Sequence, residues 1–349
     1  MRPPGRVVAL VAGLAALGLL AAAPASARDL TIAVQPDPVP QAVLQRVYVG
    51  PFTDATGIAA RLQSWSGGLD ALRGKGSAED GWDVVQIGPA DLQPACDQGL
   101  LEKLHFAAIG GRDHYLPQGT GDCGVGAFLT ATVLSWDRDK FPGAPSWADF
   151  WDIAKYPGKR GLRRGPNGSL EFALLADGVA PADVYSTLRT ADGVDRAFRK
   201  LDQLKPYLVW WEKEADAIRI LGSGEVLMTS APSVLVAAAD RDEHRNFGMQ
   251  WAGGLDSVES WAIIKGSPNI AQAEKFLGFV GDPARQATLL QAAAVGGLAR
   301  GAGDKLAPEL ASVAPNTPAN LATALQSDAG FWRDNGGKLT QRFEDWLKH

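Results

Sequence analysis

A chain of 349 residues with 46% hydrophobic content and mixed charge carries enough apolar surface for more than one core, which excludes a disordered protein. The formal net charge of −5 and the lack of basic runs exclude nucleic acid and anionic membrane as natural partners. Two cysteines and four scattered histidines, His105, His114, His244 and His349, cannot assemble a structural zinc site.

At the N-terminus, Arg2 and Arg6 precede the uncharged run VVALVAGLAALGLLAAA, and Ala25-Ser26-Ala27 places small residues where a signal peptidase reads. Residues 1–27 are therefore expected to be a cleavable secretory signal, with the mature chain starting at Arg28 in the periplasm. No cysteine near the cleavage site offers a lipid anchor. In an exported protein Cys96 and Cys123 are expected to form one disulfide worth about 3 kcal/mol, with two free thiols as the alternative.

The rest of the chain alternates strand-like and helix-like stretches. Leu30–Val34 reads as a strand followed by the turn QPDPVP. A helix then ends at Gly57, Ile58–Gln63 reads as a second strand running into SWSGG, and DVVQIG (83–88) as a buried third. The following helix is expected to run to QGLLEKL. GVGAFLTATVLSW (124–136) is too long for an ordinary strand and is expected to bridge two domains. Ser146 starts a helix. Val194, Ala197, Phe198 and Leu201 share a helical face that Pro206 closes. SWAIIKG is extended, and Asp282-Pro283 opens another helix. Leu339, Phe343 and Trp346 mark an amphipathic C-terminal helix docked on the body.

This alternation predicts an α/β fold with a mostly parallel sheet, in which ligands sit beyond the carboxyl ends of the strands. The segments QPDP, SWSGG and IGPAD are then the expected cleft lining. LVWWEKE (208–214) places Trp210 and Trp211 on opposite faces of a strand, with either both rings in cores and Glu212 solvated, or one ring in a core and the other facing a surface or cleft. No GxSxG or HExxH occurs, and GKGS at 74–77 lacks the rest of a phosphate loop, so no cofactor, metal or catalytic machinery is expected. Asp256 and Glu259 are a lone carboxylate pair of the kind a glycosidase uses, which chance also produces. Trp65, Trp210, Trp211 and Trp261, scattered beside polar groups, suit binding without turnover.

Six segments in order carry a family resemblance: FTDATGI (52–58), WDVVQIGPADLQPACDQGLLEKL (82–104), SWADFWDIAKYPGKRGLRRGP (146–166), LEFALLADGV (170–179), SGEVLMTSA (223–231) and SVESWAIIKGSPN (257–269). Over nearly the whole mature chain the sequence resembles bacterial ABC-transporter periplasmic solute-binding proteins of the spermidine/putrescine type. The resemblance implies a two-lobed type II periplasmic-binding-protein fold with two crossover segments, GVGAFLTATVLSW and ESWAIIKG, and a ligand cleft between lobes. Lobe 1 would comprise 28–132 and 260–305, including the cysteine pair. Lobe 2 would comprise 133–259 and 306–349. A monomer that delivers its solute to an inner-membrane permease is implied as well.

The chain departs from the polyamine pattern. Where polyamine-binding members bring an acidic pair, GPNGS offers Asn167 and Ser169, and where they carry a Trp this chain has Ser230. Glu259 keeps the acidic position before the second crossover, and Arg163 and Arg164 map near the interface. A linear polyamine needs a carboxylate for each buried ammonium. Fewer acids and a guanidinium suit a zwitterion such as 4-aminobutyrate better, with a polyamine as the alternative. The expected ligand-binding set is Trp65, Ser66, Arg164, Asn167, Ser169, Trp211, Ser230, Asp256 and Glu259. Glu259 would take the ammonium, an arginine the carboxylate, and Trp65 and Trp211 the chain. Should a polyamine bind, Glu212, Asp256 or Asp37 would have to supply the acids missing from the polyamine positions. Ferric-ion capture in the same fold would call for adjacent tyrosines, and all five here are isolated. A secreted hydrolase and a solute sensor are the readings from other classes.

Overall fold

The computed structural model describes residues 28–349 except 37, 78–79 and 305. The expected signal segment 1–27 lies outside the described residues. Among those residues no helix is long and apolar enough to cross a membrane.

The strands are β1 (Leu30–Val34), β2 (Ala60–Ser64), β3 (Val84–Ile87), β4 (Val125–Asp137), β5 (Arg160–Arg163), β6 (Leu208–Trp211), β7 (Met228–Pro232), β8 (Phe247–Ile263) and β9 (Leu325–Gln326). They form one continuous sheet in the order β2-β1-β3-β8-β4-β7-β5-β6, with β9 beside β8. The expected mostly parallel sheet holds at its two ends, where β1 pairs parallel with β2 and β3, and β5 with β6 and β7, and in the short pairing of β9 with β8. The centre is antiparallel: β8 runs against both β3 and β4, and β4 against β7. Two long strands that pass between the lobes have to return in opposite directions, which sets this arrangement. The 13-residue β4 and the 17-residue β8 are those crossings, and β9 adds a third strand beside β8 at Leu255 and Asp256.

The apolar residues separate accordingly. Ile32, Phe52, Val84, Phe128, Trp261 and Phe276 belong to one cluster around the β1–β3 end. Leu134, Phe150, Leu162, Phe172, Phe198, Phe331 and Phe343 belong to another around β5–β7. Local chemistry places many of the elements. Gly57 ends its helix in the left-handed conformation at φ 69°. Ser146 and Asp149 form a reciprocal capping box. Asp282 accepts from the Ala284 and Arg285 amides, with Pro283 in the first turn. One expected helix is shorter than anticipated: Pro89–Asp97 stops before QGLLEKL, because Gly99 turns at φ 66° and the chain runs on beside β8. Cys96 and Cys123 form a disulfide.

Asp83, fully buried at the start of β3, joins the N-terminal strand to the turn after β8. It accepts from both terminal guanidinium nitrogens of Arg28 (2.7 and 2.9 Å), the Thr31 amide (2.8 Å), Ser267 Oγ (2.6 Å) and Asn269 Nδ2 (3.3 Å). Asp83→Asn replaces one acceptor oxygen with a donor facing these donors, and a loss of about 2 kcal/mol of stability is expected. Urea unfolding of the two proteins measures it, and coincident midpoints would show that Asp83 holds nothing.

Candidate functional site

The sheet's central crossing forms the floor of a cavity of about 280 Å³. On β8 the residues Leu255, Ser257 and Glu259 alternate onto the cavity face, as the period of two requires. On β4 the contributors are Thr130, Ala131 and Thr132, just before a register shift between Thr132 and Leu134. Ser327, after β9, completes the floor. One wall carries Gln35, Pro38 and Pro89 from the loops after β1 and β3. The other carries Arg163, Asn167, Glu214 and Pro232 from the ends of β5, β6 and β7. Beside Arg163 and Asn167 a recess of about 40 Å³ is lined also by Ser169 and Ser230.

Glu259 is the central acid. Its Oε2 is enclosed and has no hydrogen-bond partner among the described residues. Burial pushes its pKa up to about 7, and the charges of Glu214 and Asp91 add to this. Gly88 makes room for the carboxylate: a Cβ there would lie 3.2 Å from Glu259 Oε1. The Arg163 guanidinium makes no ion pair with another described residue, although it lines both cavities. Ser169 Oγ donates to the Arg163 carbonyl at 3.2 Å, and Ser230 Oγ is buried without a partner among the described residues.

Of the expected ligand set, the structure brings Asn167, Ser169, Ser230 and Glu259 together at these cavities. Five others lie elsewhere, and each displacement has a physical reason. Trp65 is buried in the first lobe's core, edge-on to Trp82, with its Nε1 donating to the Gln86 carbonyl at 3.0 Å. Ser66 is exposed and lines neither cavity, so the SWSGG loop contributes nothing to either. Trp211 is buried among Ala217, Ile220 and Phe247, and Trp210, on the opposite face of β6, packs on Phe343 and Trp346. Both faces of this edge strand are covered by helices, leaving neither ring for the cavity. Arg164 points away from Arg163 and pairs with Glu344 at 2.5 Å and, at 3.8 Å, with the exposed Glu212. Asp256 faces away from Leu255 and Ser257 and accepts from Gln326 Nε2 at 2.9 Å. Asp37 lies outside the described residues.

Sequence reasoning missed Arg163 as the inward arginine, Glu214, and the hydroxyl floor of Thr130, Thr132, Ser257 and Ser327. Glu214 opens the helix Glu214–Gly222 directly after β6.

Burial also raises Glu171 and Asp256 to about 7. A carboxyl raised in the folded state binds more protons folded than unfolded between about 4.5 and 7. These groups therefore lend stability at low pH that is lost as pH rises through 7. The ligand-free protein is expected to melt at a higher temperature at pH 5.5 than at pH 8 in calorimetric scans. A midpoint that rises steadily over that interval would contradict the burial of these acids.

A two-lobed α/β body with a polar, charged cavity over its crossing strands defines a solute-capturing protein. The chain belongs to the bacterial extracellular solute-binding protein family, which it matches over residues 19–312, and is of the ABC-transporter substrate-binding kind. It is 38% identical to a gamma-aminobutyric acid-binding protein of Pseudomonas aeruginosa, over 95% of this chain and 94% of that one. Its fold matches the crystal structure of an ABC transporter substrate-binding protein from Bradyrhizobium japonicum USDA 110 with a TM-score of 0.82 at 32% identity, covering 91% of this chain and 99% of that one. A solved GABA receptor matches with a TM-score of 0.79 at 27% identity, covering 92% and 98%.

Proposed function

We propose that the protein captures 4-aminobutyrate or a close ω-amino acid in the periplasm, without turnover, and delivers it as a monomer to an ABC-importer permease. The single observation that carries this reading is the half-buried Glu259, whose enclosed Oε2 has no partner among the described residues, in the same cavity as Arg163. A zwitterion neutralises both. Its ammonium sits against Glu259, with Glu214 near, and its carboxylate against Arg163 and Asn167, while the threonine and serine hydroxyls of the floor take the remaining hydrogen bonds. A P. aeruginosa relative that binds gamma-aminobutyric acid supports the assignment. In this reading the lobes, 28–132 with 260–305 and 133–259 with 306–349, close over the solute, and the partition of the apolar clusters supports that division.

A diamine is the second reading, because Glu214 lines the cavity beside Glu259 as a second carboxylate. Arg163 argues against it, since a second ammonium would face a like charge. Titration calorimetry on refolded, ligand-stripped protein decides. Heat from 4-aminobutyrate and none from putrescine or spermidine is the expected result, and tight putrescine binding with no response to 4-aminobutyrate would overturn the reading.

A further inference from the structure

The loop that carries Asn167 is held from behind by one buried carboxylate that lines neither cavity. Glu171 is fully buried and accepts from the Gly168 amide at 2.8 Å, Tyr185 OH at 2.9 Å and Trp332 Nε1 at 2.9 Å. A buried carboxylate without a cation among its partners is costly. What this one obtains is a fixed geometry between three separate elements. Gly168, at φ +86°, is the turn residue between Asn167 and the helix Ser169–Ala176, so the bond to its amide sets the direction in which Asn167 leaves the loop.

Trp332 belongs to the C-terminal helix Ala329–Lys348. The same helix holds the cavity wall a second time, through Glu344 on Arg164, the neighbour of Arg163. It also packs beside Pro89–Asp97, whose first residue stands on the opposite wall of the cavity, and Asp97 acts on Arg333 through its charge. The helix therefore touches elements of both walls while contributing no side chain to the cavity.

We propose that Glu171 is a positioning residue for solute capture, and that Trp332 makes the C-terminal helix part of the binding machinery. This rests on reading the cavity as the solute site. The carboxylate fixes the Gly165–Gly168 loop, and the indole N–H fixes the carboxylate. Trp332→Phe tests this in the full chain, because it removes the N–H and retains an aromatic ring against Phe331. Two readouts are needed. Hydrogen–deuterium exchange of the ligand-free protein should show faster uptake confined to residues 163–169. Calorimetry well below the unfolding temperature should show 4-aminobutyrate affinity weakened by about tenfold. Glu171→Gln, if it folds, should do at least as much. A lower melting temperature with uptake at 163–169 and affinity both unchanged would reduce Glu171 to a structural role and overturn the proposal. If the unsubstituted protein does not bind 4-aminobutyrate, the ligand assignment falls, and the exchange measurement still decides whether Trp332 holds the loop.

Discussion

Glu259→Gln is expected to weaken 4-aminobutyrate capture by about 150- to 5000-fold with the fold intact. The magnitude follows from leaving a buried ammonium without its counter-charge, a loss of about 3–5 kcal/mol. The amide is isosteric with the acid, and the carboxyl in the ligand-free protein is already held near neutrality by burial, so the substitution removes the charge and little else. The pH dependence gives the argument a second, independent reading. With a ligand-free pKa of about 7, Glu259 is largely ionised at pH 8 and protonated at pH 5.5. Only the anion pairs with the ammonium, so affinity should fall as pH drops through 7, approaching about tenfold per unit. Below pH 7 binding should release a proton, which calorimetry in two buffers of different ionisation enthalpy measures directly. The Gln variant should show neither effect. Binding within about threefold of the parent would remove Glu259 from the ammonium site.

Arg163→Met should cost 4-aminobutyrate about 10- to 100-fold, the worth of a charge-assisted hydrogen-bond pair to a carboxylate. Putrescine, which has no carboxylate, should lose nothing and gain from the removal of a like charge. The matched control is Arg164→Met. Its guanidinium is engaged with Glu344 and Glu212 outside the cavity, so affinity should change far less than for the neighbour. Equal losses at 163 and 164 would mean that both arginines act through the stability of the loop, and no loss at either would exclude an arginine from the carboxylate site.

Much of the fold could be read from local chemistry. Apolar runs marked β1 and β3, a capping box marked the helix at Trp147, and periodicity marked Ala191–Leu204. The two overlong extended stretches were legible as crossings because no single-domain strand needs such length. The helix extended too far, into QGLLEKL, failed because an apolar run does not reveal that its backbone pairs with a strand distant in sequence.

The site was legible as a neighbourhood and not as a set of side chains. By itself the sequence determined the α/β class, the cysteine pair and the crossing strands. Tertiary structure decided which neighbouring residues face the cavity: Arg163 over Arg164, and Leu255 and Ser257 over Asp256 between them. The reason is the period of two along a strand. Neighbouring side chains point to opposite faces, and a register shift such as that after Thr132 is set by pairing with residues more than a hundred positions away. The tryptophans follow the same logic. Trp210 is covered by a helix that begins at Ala329, and nothing near Trp210 in the sequence announces that cover.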